Sequence, residues 1–289
     1  MSDASVVGVV IATRDRRLAL HRTLDRLAAL PEQPPVVVVD NGSHDGTPEA
    51  IRGAHPHVRV ATLDRDVGAA ARAIGVRALD TPLIAFTDDD SWWAPGALSR
   101  AAGLFDAHPR LGLIAAQILV GPEQRLDSTC VAMRESPLPR EPDLPGPSVL
   151  GFVACGAIVR RAAFLSTGGF SSRMGFGGEE QLLALDLATA GWGLAYVEEV
   201  VAHHHPAPGP GRASRTRTEL RNALVTAWMR RRRLGAARTS AKLAACALRR
   251  GEVGALLHAA RGLKGVGRER RPVPRPVERG IRTLERTRR

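Results

Sequence analysis

The chain is poor in aromatic residues and cysteines and has no long apolar run. Aromatic side chains make up 4% of its 289 residues, and its three cysteines, Cys130, Cys155 and Cys246, lie far apart without CxxC spacing. This pattern argues against a disulfide framework and against a cysteine zinc site. No apolar run reaches the ~18 residues of a membrane-spanning helix, and a strand pattern that begins by Val6 leaves no room for a signal peptide. We therefore expect a cytoplasmic protein.

The chain also lacks the glycine-rich fingerprints of common nucleotide-binding proteins. The first strand pattern continues into "IATRDRR" (Ile11–Arg17), which contains no GxGxxG motif. Its absence argues against a nicotinamide-dependent dehydrogenase. The overlapping stretch "ATRDRRLA" has neither the glycine nor the lysine of the phosphate loop expected in an enzyme that makes nucleotide sugars.

Acidic residues are scarce near the C-terminus. Residues 201–289 carry 23 Lys and Arg but five Asp and Glu, whereas residues 1–200 carry 18 basic and 24 acidic residues. Such a basic segment is typical of contact with nucleic acid or an anionic membrane surface, and also of a solvated tail. Its one aromatic residue is Trp228, which argues against stacking on single-stranded nucleic acid. The helical stretch "LVTAWMRRRRLGAARTSAKLAACALRR" suits a membrane surface better.

Strand and helix patterns alternate through the first half of the chain. This alternation predicts an α/β fold with βαβ units and a Rossmann-like, mostly parallel sheet flanked by helices. Six prolines in residues 121–148 predict a long loop. We divide the chain into a main domain at residues 1–211, a basic helical extension at 212–267 and a flexible basic tail at 268–289. The buried strand patterns are Val6–Thr13, Pro34–Asp40, Val58–Leu63 and Pro82–Asp88.

Carboxylates follow two of these strands, at the edge where parallel sheets bind ligands. Asp40 either accepts hydrogen bonds from a base or sugar, or belongs to an ordinary turn before a helix capped by Thr47. Asp88, Asp89 and Asp90 follow the fourth strand, where three like charges repel one another unless a cation lies nearby. An Asp-x-Asp pair such as Asp88 and Asp90 can hold a divalent cation and leave positions open for phosphate oxygens. The alternative is a cluster at the entry of the next helix.

Acids and histidines mark two places in the second half. Glu179 and Glu180 begin a helix after a glycine-rich loop, where a carboxylate either acts as a general base or pairs with the helix dipole. Three consecutive histidines, His203–His205, end a later strand pattern. Neighbouring side chains of a strand point to opposite faces, so the three cannot converge on one ion. We take His204 as the candidate that joins the carboxylates at a metal; a solvated or core histidine is the alternative.

In order along the chain, these segments resemble the family-2 glycosyltransferases of the GT-A fold. The resemblance covers roughly residues 5–205 and is carried by "VVIATRDR", "VDNGSHDGT", "DVGAAARAIGVRA", "LIAFTDDDSWWAPGAL" and "CGAIVRRAAFLSTGGFSSRMGFGGEEQLLALDLATAGWGLAYVEEVVAHH". It implies an inverting enzyme that uses Mg²⁺ or Mn²⁺ and moves a sugar from a nucleoside-diphosphate sugar to an acceptor hydroxyl. The product would be a glycan, glycolipid or glycosylated metabolite. Since many relatives act on lipid-linked acceptors, we expect peripheral association with the inner face of the cell membrane.

The resemblance also implies roles for individual residues. Glu180 matches the family's general base, usually the Asp of an "ED" pair, and the "EE" pair here leaves Glu179 as the other candidate. A catalytically degenerate GT-A fold that binds nucleic acid or membrane through the basic segment is the alternative function. Thr13 and Asp15 would border the nucleotide pocket, Asp40 would bind the base, Arg72 the nucleotide end of the donor, Asp88 and Asp89 the ribose, and Asp90 the metal, while Gly168, Gly169 and Phe170 would shape the acceptor side.

Overall fold

The computed structural model of the protein describes residues 5–206 and 212–287, with side chains from residue 217 onwards in the second range. The predicted boundary at residue 211 and the last two residues of the predicted tail lie outside these ranges. The prediction of an α/β fold is confirmed. One sheet of nine strands, in the order β3-β2-β1-β4-β8-β6-β9-β5 with β7 paired to β6, forms the centre of the molecule. The strands are β1 (Val7–Thr13), β2 (Val36–Asp40), β3 (Arg59–Thr62), β4 (Leu83–Thr87), β5 (Ser91–Trp93), β6 (Leu111–Val120), β7 (Arg125–Leu126), β8 (Ala157–Arg160) and β9 (Gly193–His204).

The first four strands are parallel, as the alternating pattern predicts. β1 pairs with both β2 and β4, and every residue of these three strands is buried because helices cover both faces of the sheet. In the second half β8 runs antiparallel between β4 and β6, and β5 runs antiparallel to β9. The sheet as a whole is therefore mixed. The helices that follow the first four strands are α1 (Arg17–Ala28), α2 (Thr47–Ala54), α3 (Ala71–Ala78) and α4 (Ala97–Ala107).

The proline-rich stretch at 121–148 is more ordered than a simple loop. It contains β7 and helix α5 (Ser128–Arg134), which begins at Asp127, whose carboxylate accepts a hydrogen bond from the backbone N–H of Thr129. Cys130 of this helix is fully buried against β6. Two further helices of the main body are α6 (Arg161–Ser166) and α7 (Glu180–Thr189).

The basic C-terminal segment forms four helices, of which the first and the last pack onto the main body. Val225 and Met229 join Met174 and Leu182 in one apolar cluster, and Ile281 joins Leu185 in another. Residues 268–287, for which the sequence predicts a flexible tail, thus include a helix that contributes to a core. In the described part of the chain, no helix has the length and apolar character to cross a bilayer. The four helices are α8 (Arg212–Arg230), α9 (Arg233–Arg249), α10 (Val253–Arg261) and α11 (Arg275–Thr287).

Candidate active site

The ends of β1, β2 and β4 bring the first group of predicted site residues together. Thr13 is paired in register with Asp40, and Thr87, which precedes Asp88, lies beside Ile11. The Thr13 hydroxyl donates a 2.9 Å hydrogen bond to Asp89 Oδ2. Residues that are up to 76 positions apart in the sequence therefore line one edge of the sheet, because parallel strands place their carboxyl ends on the same side.

Asp40 has an unused hydrogen-bonding atom. Its side chain is completely buried, and Oδ2 accepts a 3.1 Å hydrogen bond from the backbone N–H of Ser43. Oδ1 is buried without a hydrogen-bond partner in the part of the chain that the structure describes. A buried carboxylate oxygen of this kind costs free energy unless a ligand donates to it. The predicted nucleotide-binding role of Asp40 is consistent with this unsatisfied acceptor.

Asp15 lies at the rim of the same edge. Its backbone φ of 51° is in the left-handed region, and the turn is held by a 2.7 Å hydrogen bond from the backbone N–H of His44 to Asp15 Oδ1. The Asp15 backbone N–H donates in turn to Ser43 Oγ, at 2.9 Å. The side chain of Asp15 thus joins the loops after β1 and β2 and shapes the opening above Asp40.

Each carboxylate of the Asp triplet lies beside a basic side chain, and Asp89 and Asp90 share Arg16. Asp88 Oδ1 accepts a 2.7 Å hydrogen bond from Arg72, and Asp89 accepts one of 3.3 Å from Arg16 Nε. Asp90 lies 3.3 Å from Arg16 Nη2 through Oδ2, and Oδ1 lies 3.3 Å from His204 Nε2. These cations offset the mutual repulsion of the triplet. Burial, followed by the charge of Asp90, still raises the pKa of Asp89 to about 6.

Among the three consecutive histidines, His204 is the one that faces Asp90. Ser91 of β5 pairs with His204 of β9, and the carbonyl of Asp90 accepts a 2.8 Å hydrogen bond from the His205 backbone N–H. His203 and His205 instead pack against the Trp92 ring, with centroid separations of 5.5 and 4.7 Å. Burial opposes protonation of His204, but the hydrogen bond and charge of Asp90 raise its pKa above the usual value. The strand alternation that excludes three converging histidines therefore selects one.

The side chains of Asp90 and His204 fit a divalent cation. Ligands of an octahedral ion at ~2.1 Å lie about 3 Å from one another, which is close to the 3.3 Å between Asp90 Oδ1 and His204 Nε2. Asp88, the third predicted ligand, is engaged by Arg72. Within residues 5–206 and 212–287, no three His, Cys, Asp or Glu side chains cluster as a complete metal site. A protein that supplies two ligands leaves the remaining positions to phosphate oxygens and water.

Arg72 connects the Asp triplet with the acid pair. It is fully buried, and its guanidinium binds Asp88 at 2.7 Å and Glu179 at 3.1 Å. The rings of Phe170 and Phe176 lie 5.3 and 5.0 Å from its Cζ atom, within cation–π range. Burial opposes the charged form, but Asp88 and Glu179 raise the pKa of Arg72, so it remains a cation.

Glu179 and Glu180 have different surroundings. Glu179 is 2% exposed and is fixed by Arg72 and by the backbone N–H of Gly177. Glu180, the first residue of α7, accepts a 3.3 Å hydrogen bond from the backbone N–H of Ala154 and lines a cavity. Burial, followed by the charge of Glu179, raises the pKa of Glu180 to about 8. The arrangement therefore holds one acid in an ion pair and leaves the other facing open space.

The predicted acceptor-side turn plays a packing role in this structure. Gly168 and Gly169 have φ values of 87° and 69°, and a Cβ on Gly169 would come within 2.4 Å of the Phe164 ring. Phe170 is buried, with its ring 5.4 Å from that of Phe86. The turn lines a second cavity of about 440 Å³ and brings Phe170 beneath Arg72.

Several residues of the site carry no clear sequence signal. Arg16 binds both Asp89 and Asp90. The motif "TRDR" shows that basic residues follow β1 but does not indicate that Arg16 reaches the Asp triplet. Cys155 is fully buried beside the acids, and burial raises the pKa of its thiol far above the usual range. Asn222 of α8 is fully buried and donates 2.9 Å hydrogen bonds to the carbonyls of Gly175 and Gly177. The C-terminal segment thereby holds the glycine-rich loop that precedes the acid pair.

Comparisons with known proteins identify the family of the chain. The sequence profile described as "Glycosyl transferase family 2" matches residues 8–167. An N-acetylglucosaminyl-diphospho-decaprenol L-rhamnosyltransferase from Mycobacterium tuberculosis is 27% identical over 245 residues, which are 72% of this chain and 78% of that protein. A pre-mycofactocin glycosyltransferase from the same organism is 33% identical over 212 residues, 69% of this chain and 43% of that protein.

Solved structures show the same fold. A mannosyltransferase from Pyrobaculum calidifontis in complex with GDP-Man and Mn²⁺ superposes with a TM-score of 0.62 at 20% identity, covering 99% of this chain and 81% of that one. S. aureus TarS in complex with UDP-GlcNAc has a TM-score of 0.60 at 16% identity, covering 76% and 66%. The chain is therefore a glycosyltransferase that belongs to glycosyl transferase family 2 and has the GT-A fold.

Proposed function

We propose that the protein transfers a sugar from a nucleoside-diphosphate sugar to an acceptor hydroxyl with inversion at the anomeric carbon, and that Glu180 is the general base. The observation that carries this proposal is the contrast within the acid pair. Glu179 is committed to Arg72, whereas Glu180 faces a cavity large enough for an acceptor. A carboxylate with a pKa near the working pH is well suited to accept a proton from an attacking hydroxyl.

The residues at the sheet edge would bind the donor. The unsatisfied Oδ1 of Asp40 would accept a hydrogen bond from the base, with Thr13 and Asp15 at the border of the pocket. Asp88 and Asp89 would contact the ribose, and Arg72 would orient the nucleotide end through Asp88. Asp90 and His204 would hold Mg²⁺ or Mn²⁺, which when bound would offset the charge of the departing diphosphate.

The test of this proposal is donor hydrolysis and transfer. The protein is incubated with UDP-, TDP- and GDP-sugars, with and without Mn²⁺, and the released nucleoside diphosphate is measured. Release from one donor that depends on metal and is abolished by Asp90→Ala supports the proposal. NMR of the glycosylated product then gives the anomeric configuration. Retained configuration, or release that is unaffected by Glu180→Gln, would contradict the assigned mechanism.

We further propose that the C-terminal helices attach the enzyme to an anionic membrane surface. Four large apolar side chains on α9 and α10 are strongly exposed: Leu234 (74%), Leu248 (59%), Val253 (53%) and Leu257 (63%). The outer face of α9 also carries exposed basic residues, including Arg238, Lys242 and Arg249. An exposed face that combines apolar and basic residues is suited to the headgroup region of a bilayer. Such attachment would place the enzyme on the inner face of the cell membrane, where glycolipid or glycan acceptors are made.

Nucleic-acid binding by the same segment is less well supported. Trp228, the one aromatic residue there, donates a 3.0 Å hydrogen bond to Ser240 and packs against Arg270, so it is unsuited to stacking on bases. Sedimentation with phosphatidylglycerol liposomes distinguishes the two partners. Leu234→Ser/Leu257→Ser should lose liposome binding, and Leu18→Ser, an equally exposed leucine on α1, is the matched control. If the unaltered protein bound DNA but did not sediment with the liposomes, membrane attachment would be refuted.

A further inference from the structure

The cavity beside Glu180 is built jointly by the main body and the C-terminal helices. It has a volume of about 360 Å³, which is in the range of small-molecule sites. α5, the start of α7 and residues 149–152 form one side, and α8, α9 and α11 form the other. Its walls are largely apolar, with Met133, Phe152, Leu185, Ile281 and Leu284 among the lining residues.

Two side chains that line the cavity have a buried polar atom without a partner among the described residues, the Thr226 hydroxyl and Arg231 Nε. Thr226 of α8 is 2% exposed and lines the cavity, and its hydroxyl makes no hydrogen bond to any described residue. Buried hydroxyl groups are normally hydrogen-bonded, so an unsatisfied one in a cavity wall indicates a ligand that supplies the missing partner. Neither the assigned donor residues nor the acid pair accounts for this group.

The charges that line the cavity disfavour an anionic ligand. Arg231 is the only Lys or Arg among the described lining residues. Its charge is offset by Glu278 at 3.0 Å and by Glu285, its Nη1 also donates to the Thr239 hydroxyl, and Nε alone is left without a partner among the described residues. Glu285 adds negative charge to the wall, and so does Glu180 when it is ionised. A phosphate or carboxylate that entered would lose its hydration without gaining a free cation, which is costly in an apolar site.

We propose that this cavity binds the acceptor, and that the acceptor moiety is an uncharged, largely apolar alcohol, phenol or alkyl glycoside whose second polar group hydrogen-bonds to Thr226. This inference rests on the proposed function of Glu180 as the base. The acceptor hydroxyl gives its proton to the Glu180 carboxylate, and its oxygen forms the new bond to the anomeric carbon. The bond from that carbon to the diphosphate oxygen breaks, and its electron pair leaves with the nucleoside diphosphate.

The assignment also gives the C-terminal helices a role in substrate choice. Ala223 and Thr226 lie on α8, and Arg231 lies in the turn that follows it. All three are outside the part of the chain matched by the family profile. The acceptor class would therefore differ from that named for the M. tuberculosis relative, whose acceptor includes a diphospho-decaprenol group. A diphosphate would have no free cation to meet in this cavity.

The test compares matched neutral and charged acceptors. Octyl β-D-glucoside and its 6-phosphate are offered with the donor found in the hydrolysis panel, and binding of 2-naphthol is measured separately by calorimetry. Ala223→Phe fills the cavity, and Ala237→Phe on the exposed face of α9 is the matched control. Thr226→Val removes the hydroxyl at constant shape, and Thr226→Ser keeps it.

We expect the neutral acceptors to bind, the phosphate to bind at least about tenfold more weakly, and Ala223→Phe but not Ala237→Phe to abolish binding. Thr226→Val should weaken acceptor binding about 3- to 10-fold, which is the usual range for one hydrogen bond, and Thr226→Ser should restore it. Preference for the phosphate, absence of any neutral ligand, or binding that survives Ala223→Phe would overturn the inference. If neutral ligands bind as expected but no donor is hydrolysed, the proposed transferase mechanism fails while the cavity assignment stands.

Discussion

The two acids at the start of α7 should respond in opposite ways to the same substitution. Glu179 forms a buried ion pair with Arg72, and loss of one partner of such a pair costs about 3–5 kcal/mol. Because Asp88 still pairs with Arg72, we expect the lower end of that range. Glu180 has no cationic partner at ion-pair distance among the described residues, and the charge of Glu179 destabilises its ionised form. Glu179→Gln should therefore lower stability, whereas Glu180→Gln should leave it unchanged or raise it.

The expected changes in melting temperature and in kcat are large enough to measure. At about 2 °C per kcal/mol for a chain of this length, Glu179→Gln should lower the melting temperature by roughly 6 °C. Glu180→Gln should retain the melting temperature but lower kcat for transfer by about 10²–10⁴-fold, the usual contribution of a general base. Thermal melts followed by circular dichroism and transfer assays on the folded fraction test both variants side by side.

A reversed pattern would refute the reasoning. If Glu179→Gln abolished transfer without destabilising the fold, Glu179 would be the base and the ion pair with Arg72 would be catalytic in the donor complex. Equal effects of both substitutions on kcat would mean that the acids act as one unit. Glu180→Asp distinguishes the need for a carboxylate from the need for its reach, because it retains the charge on a shorter side chain.

Three further predictions follow from the same site. The transfer rate should rise with pH from 6.5 to 9 with an apparent pKa of about 8, because Glu180 accepts a proton only when ionised and its pKa is raised; a flat profile would contradict that assignment. His204→Ala should raise the Mn²⁺ concentration for half-maximal activity at least about tenfold, since loss of a residue that only orients a metal ligand already costs about that much. His203 packs on Trp92, and His203→Ala should leave that concentration unchanged. Asn222→Ala removes two buried hydrogen bonds to the loop before the acids and should lower the free energy of unfolding by about 1–3 kcal/mol and also lower kcat. An unchanged free energy of unfolding, measured by chemical denaturation, would show that these bonds do not stabilise the loop.

Local patterns were sufficient for the order and nature of the elements near the sheet edge. The four β-branched runs form β1 to β4, and the carboxyl ends of β1, β2 and β4 bring Thr13, Asp40 and Asp88 together. These features depend on continuous apolar runs and on the residue types that follow them, and a stretch of about ten residues is long enough to contain both. Helix α11 and the structure within residues 121–148 were missed because prolines and basic residues masked the few apolar positions that pack.

The sequence by itself determined that this is an α/β protein with carboxylates at its ligand-binding edge, because apolar strand runs and the residues that follow them are local properties. The GT-A fold was implied by the resemblance to family 2. The tertiary structure alone decided which side chains share those carboxylates. Arg16, Arg72 and His204 each contact the Asp triplet from a different part of the chain. Arg72 binds both Asp88 and Glu179, and this contact distinguishes the surroundings of Glu179 from those of Glu180. Likewise, the cavity wall of α8, α9 and α11 forms where segments that are distant along the chain pack together. Local sequence patterns do not predict such long-range contacts.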